Sequence, residues 1–216
     1  MGQLVRKITG DGLQEIDYKY NIRGWLTAIN EDETAVANDN LVDLGAGDLF
    51  AFKISYNELL NPVGNTQKLY NGNISETFWI TSTDNILRQY GYEYDKLNRL
   101  KKANFVRPYE GEQDTYNESL SYDKNGNITD LQRNGRIYGD IQEIDNLIYN
   151  YEGNQLMKVT DSSNSTQGFN DGFNQAGVND YSYDENGNMT LDKNKDIQSI
   201  VYNHLNLPTQ IIFGSG

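Results

Sequence analysis

The chain has 216 residues, no cysteine, one histidine and a formal net charge of −13. That length accommodates one large all-β domain or two small ones, and the missing cysteine excludes disulfide frameworks, thiolate metal sites and cysteine nucleophiles. A surface this acidic repels phosphate backbones and anionic headgroups, which argues against nucleic acid, and no apolar run approaches the ~18 residues of a membrane span.

Sixteen tyrosines stand against seven phenylalanines and two tryptophans, with 20 glycines and only 3 prolines. Tyrosine buries its ring while its hydroxyl stays hydrogen-bonded, so this composition suits a thin, wet interior and extended sheet. In chain order, "MGQLVRK" reads as the start of an expressed fragment, with no signal peptide ahead of the first polar segment. "YNIRGWL" (20–26) follows, carrying Tyr20, Gly24 and Trp25. A polar insertion lies near 30–40, and "YNGNI" (70–74) is a shortened version of the same heptad. "YDKLNRL" (94–100) supplies Tyr94, Asp95 and Asn98, and a second insertion covers 108–118. "YDKNGNI" (122–128) holds Tyr122, Asp123, Asn125 and Gly126, and "YNYEGNQL" (149–156) holds Tyr151 and Gly153. After a third insertion at 160–181 come "YDENGNM" (183–189), with Tyr183, Asp184, Asn186 and Gly187, and "YNHLNLP" (202–208), with Tyr202.

The shared pattern is Tyr-Asp/Asn-x-x-Gly/Asn-Asn/Arg/Trp-apolar, at intervals of roughly 20 to 35 residues typical of repeat architectures. Each copy reads as a hairpin. Tyr92 and Tyr94, or Tyr181 and Tyr183, alternate as in a strand with both rings on one face. Asn125-Gly126 and Asn186-Gly187 are expected to supply the positive φ angles of a tight turn, and Asp123 and Asp184 to accept hydrogen bonds from its backbone N–H groups. Second strands then start at Leu100, Ile128 and Leu156. Only "EIDNLIY" hints at a helix. The expected fold is all-β, an array of antiparallel hairpins forming one curled strip over residues 1–216 with three polar insertions.

Candidate chemistry is thin. An EF-hand loop needs oxygen ligands at its first, third and fifth positions, glycine at the sixth and glutamate at the twelfth. Counting from Asp123 puts Ile128 sixth and Asn134 twelfth; counting from Asp184 puts Met189 and Lys195 there. The hairpin explains the same Asn-Gly pairs without adjustment, so no metal or cofactor is expected. His204 occupies a variable turn position, and nothing selects Glu93 and Asp95 from the other acidic residues as a hydrolytic pair. No catalytic residue is expected. Trp25 and Trp79 are the candidates for an aromatic platform facing a ligand, with packing along the sheet as the alternative.

"YDKLNRL", "YDKNGNI" and "YDENGNM" resemble the YD repeat of bacterial Rhs proteins, shared with toxin-complex C components and teneurins; "YNIRGWL" and "VYNHLNLPTQI" are similar to further stretches of Rhs proteins. The resemblance covers residues 15–213. It implies a segment of a spiral β-shell whose parent is secreted or displayed at the cell surface and encloses a cargo, often a toxic C-terminal domain. The adhesion branch of the family implies the alternative, a module binding a glycan or a cell-surface protein. The implied partners are the rest of the shell and its cargo, and an open strip would also pair edge to edge with itself. The Asp-Pro-rich motif that marks self-cleavage in Rhs shells is not seen, so that activity is not carried over.

Overall fold

The computed structural model describes residues 2–31 and 41–214. Among them the protein is all-β: every paired strand is antiparallel to its neighbour and no helix occurs. The chain divides into two compact units, Met1–Asn117 and Glu118–Gly216.

In the first unit, β1 (Arg6–Thr9), β2 (Gln14–Tyr20), β3 (Leu26–Ile29), β4 (Phe50–Ser55), β5 (Glu76–Thr81), β6 (Arg88–Tyr94) and β7 (Leu100–Arg107) pair in chain order, and β8 (Glu112–Gln113) returns onto β7. Short connections make hairpins of β1–β2, β2–β3, β5–β6 and β6–β7, while twenty residues separate β3 from β4 and twenty separate β4 from β5. The core forms where apolar residues of β4 and β5 meet the segment leading into them: Phe78 and Ala51 are fully buried against Leu41, Val42 and Leu87. Beside this core lies a buried polar layer. Glu76 and Gln89 are completely enclosed. Glu76 accepts the backbone N–H groups of Leu60 at 2.7 Å and Asn61 at 3.1 Å, while Asn61 donates its amide to Gln89 at 2.7 Å. Burial raises the pKa of Glu76 against the opposing pull of those N–H groups. The wet interior that the tyrosine-rich composition suggests takes this form.

In the second unit, β9 (Glu118–Tyr122), β10 (Ile128–Ile137), β11 (Asp140–Glu152) and β12 (Gln155–Asp161) pair in order. So do β13 (Tyr181–Tyr183), β14 (Met189–Asp192), β15 (Ile197–Tyr202) and β16 (Pro208–Phe213). Leu147, Val159 and Tyr181 are buried together, with Leu131, Phe169, Tyr183 and Met189 packed around them. β16 pairs with β15 alone among the described residues, and all six of its residues are exposed.

Two expectations change, and a third falls largely outside the described residues. "EIDNLIY" belongs to β11, a thirteen-residue strand, because its neighbours on both sides supply ladders that override the weak helical spacing. The insertion at 108–118 contains β8 and the fully buried Thr115. The insertion at 30–40 lies, from residue 32 onward, outside the described residues.

Candidate functional site

The heptad builds one structure five times. In "YDKNGNI", Asp123 Oδ1 accepts the N–H groups of Asn125 at 2.8 Å and Asn127 at 2.9 Å, and Oδ2 accepts the Asn127 side-chain amide at 2.8 Å. Asp184 does the same with Asn186 and Asn188, at 2.9, 2.8 and 2.8 Å. Asp95 takes the N–H groups of Leu97 and Arg99 and pairs with the Arg99 guanidinium at 2.7 Å. Asn21 and Asn203 replace the carboxylate by an amide and keep both backbone contacts. The backbone closes each turn alike: Asp123 N–H donates to Asn127 O at 2.9 Å, and Asp184 N–H to Asn188 O at 2.9 Å.

The turn differs from the sequence expectation in one respect. Gly126 and Gly187 have φ of 96° and 83°, but Asn125 and Asn186 are not left-handed. The loop therefore has three residues, a type I turn completed by one left-handed residue and a bulge, rather than two residues with positive φ. The register slips beside the tyrosine in each copy, where Tyr94 faces Leu100, Tyr122 faces Ile128 and Tyr183 faces Met189. Gly24 takes the left-handed place in the first copy, and Asn98 and Asn206 take it at φ of 63° and 57°. Asparagine tolerates that region better than other non-glycine residues. Gly153 is the exception. It opens a two-residue turn between Glu152 and Gln155, with glycine first as a type II′ turn requires.

The repeat tyrosines join one copy to the one before. Tyr94 donates its hydroxyl to Ile74 O at 2.9 Å, Tyr151 to Ile128 O at 2.9 Å, Tyr183 to Leu156 O at 2.6 Å and Tyr202 to Met189 O at 2.8 Å. In each case the acceptor is the carbonyl of the apolar residue that ends the preceding heptad. Tyr20 makes the equivalent contact to Leu4 O at 3.0 Å. Burial pushes Tyr94 up to about 12 and raises Tyr151 and Tyr183, so these phenols keep their protons well above neutrality. The turns are also linked through asparagine: Asn71 to Asn98 at 2.7 Å, Asn125 and Asn127 to Asn154 at 3.1 and 3.2 Å, and Asn188 to Asn206 at 3.0 Å.

One member of this set escapes the sequence pattern. Tyr56 donates to Leu26 O at 2.9 Å, the acceptor expected for the second repeat. Its own turn is "YNGNI", beyond thirteen intervening residues, and Tyr70 at the head of that segment is exposed. The intervening loop is closed by Leu69 N–H donating to Tyr56 O at 2.7 Å. "YNELLNP" (56–62), which parallels "YNHLNLP", is the signal that could have found it.

Chemically, these turns are saturated. Asp123 and Asp184 give both carboxylate oxygens to their own loop. Donation from the Asn188 amide holds Asp184 below the ordinary carboxylate value; in Asp123 desolvation is outweighed by the Asn127 amide and the turn N–H groups. Among the described residues no group of three or more His, Cys, Asp or Glu is placed to hold a metal ion. His204 is exposed in the last turn. Glu93 accepts from Asn65 and Asn104 while Asp95 closes its turn, so the two carboxylates serve separate structures. The tryptophans go to different places. Trp25 packs on Tyr56 with ring centroids 5.1 Å apart, under the Arg23 guanidinium, and its backbone N–H donates to Asn21 Oδ1 to close the first turn. Trp79 stacks on Tyr90 at 5.7 Å and lies 6.2 Å from Phe105. No protein-family model matches the sequence, and no curated protein matches it.

Proposed function

We propose that the chain is a non-catalytic wall segment of an Rhs-type YD-repeat shell, whose parent protein acts outside the cell or at its surface and encloses a cargo such as a C-terminal toxin domain. The observation that supports this most is the repeat-to-repeat contact, in which the hydroxyls of Tyr94, Tyr151, Tyr183 and Tyr202 seat on the carbonyl that ends the previous heptad. A unit that docks on its predecessor through one fixed contact extends by addition, as a wall must. The heptad carboxylates are consumed by their own turns, which fits a structural role better than a reactive one.

A wall segment carries an edge for the next unit, and β16 is exposed along its whole length. Light scattering and small-angle X-ray scattering on the purified chain test the reading. The expected result is concentration-dependent association that Ile212→Lys suppresses, because a charge on an edge strand blocks pairing. A compact monomer at every concentration, melting in one cooperative step, would overturn it.

A further inference from the structure

Three polar side chains meet inside the second unit, away from every heptad turn. Asp180 is completely buried and Asn194 nearly so, and the Lys158 side chain is only 14% exposed. The backbone places them. Asp180 N–H donates to Met157 O at 2.8 Å, and Lys193 N–H donates to Asp180 O at 2.9 Å. Lys158 and Asn194 are the next residues on those two flanking segments, so one stands on either side of Asp180.

The Asp180 carboxylate joins its neighbours. Its Oδ1 accepts the Lys158 ammonium at 3.1 Å, and its Oδ2 accepts the Asn194 side-chain amide at 3.1 Å. Val159 N–H also donates to Oδ2, at 2.9 Å. The carbonyl end of the Asn194 amide is engaged as well, since Phe173 N–H donates to its Oδ1 at 3.1 Å. Asp192, another buried carboxylate of this unit, is taken up with the backbone and side chain of Lys195.

A lysine beside a buried carboxylate is commonly no more than an ion pair, in which desolvation offsets much of the attraction. Here the same carboxylate also grips a carboxamide whose oxygen is polarised by a fixed N–H. An amine, a proton acceptor and an activated acyl group in one desolvated cluster are the parts of an acyl transfer.

We propose that Lys158 and Asn194 join in an intramolecular isopeptide bond, with Asp180 carrying the protons. Asp180 takes one proton from the Lys158 ammonium, and the freed Nζ attacks Asn194 Cγ to form the new C–N bond. Negative charge gathers on Asn194 Oδ1, where Phe173 N–H meets it. Asp180 then passes its proton to Nδ2 and takes a second from Nζ as the Cγ–Nδ2 bond breaks. Ammonia leaves and carries that second proton away as ammonium, so one amide is exchanged for another and Asp180 is again a carboxylate. The reaction happens once per chain and ties β12 to the segment after β14. It does not depend on the wall reading, since none of the three residues belongs to a heptad turn.

Mass spectrometry of the whole folded chain tests it. The expected result is a mass about 17 Da below the sequence value, the loss of one ammonia, and a digest containing a branched peptide that joins Lys158 to Asn194. Lys158→Arg keeps a cation on Asp180 but offers no such amine, and it should restore the full mass without changing the circular dichroism of the sheet. Asn194→Ser, which removes the acyl group, should restore it too. Lys195→Arg, at an exposed neighbour, should leave the loss in place. A parent chain at its full sequence mass would overturn the proposal. So would a loss that survives Lys158→Arg, which marks cyclisation of an asparagine, or a loss of about 18 Da, which marks condensation of Lys158 with Asp180 itself.

Discussion

The turn at 183–189 and the loop at 162–180 lie in one unit and are held by opposite means. The turn supplies its own clasp: Asp184 collects hydrogen bonds from residues two and four positions ahead of it. The loop is held by residues remote in sequence, with Phe169 on Asp145 and Phe173 on Asn194. Local clasps leave a mark in the sequence because residue and partner share a heptad. Remote clasps leave none, and they are the more deeply buried of the two.

That contrast predicts larger losses from breaking the remote clasps. Asp180→Ala should cost most, about 3–5 kcal/mol in denaturant unfolding, because Lys158 is then left as a poorly exposed charge without its partner. Gly168→Ala comes next. A Cβ there would stand 2.0 Å from Ile144 O and 2.3 Å from Asp145 Oδ1, so the loop must lift, at about 2–3 kcal/mol, and limited proteolysis should cut between 162 and 180. At the turn, Gly187→Val forces a β-branched residue into the left-handed region at roughly 1–2 kcal/mol. Tyr183→Phe removes one hydroxyl contact and should lower stability by about 1 kcal/mol, leaving the circular dichroism of the sheet unchanged. A Gly187→Val loss exceeding that of Asp180→Ala would reverse the comparison.

The smallest expected effect is on pH dependence. The folded pKa of Asp184 lies below its ordinary 3.8. A carboxylate depressed in the folded state stabilises fully above that ordinary value, and the contribution is lost as the pH falls through the depressed one. Asp184→Asn should therefore flatten the acid limb of the stability profile and leave the region near neutrality almost level. An acid limb as steep as the parent's would show that the clasp does not depend on charge.

The repeat was readable because Tyr, Asp and Gly recur at fixed offsets, and the strands that follow each turn begin where the pattern puts them. Its details were less so. "NG" suggested a two-residue turn, yet the loop takes three because Asp123 N–H reaches Asn127 O and leaves Lys124, Asn125 and Gly126 between them. Tyr56 was hidden because its heptad is split by the loop at 57–69. The anchors of 162–180 could not be read at all, since nothing in "SSNSTQGFNDGF" announces that Gly168 lies against Ile144 O or that Asp145 waits for Phe169. The aromatic count foretold a tyrosine-lined sheet but not that Trp25 and Trp79 would pack against aromatic neighbours.

The tyrosine hydroxyls seat on main-chain oxygen, not on a side chain. Leucine, isoleucine and methionine all stand at the accepting position, in Leu26, Ile74, Ile128, Leu156 and Met189, and the contact is the same. Nothing about the joint constrains the identity of the residue beneath it beyond being apolar. A chain assembled this way can replace most of its letters, copy by copy, while every joint survives, so its architecture can outlast any resemblance in its spelling.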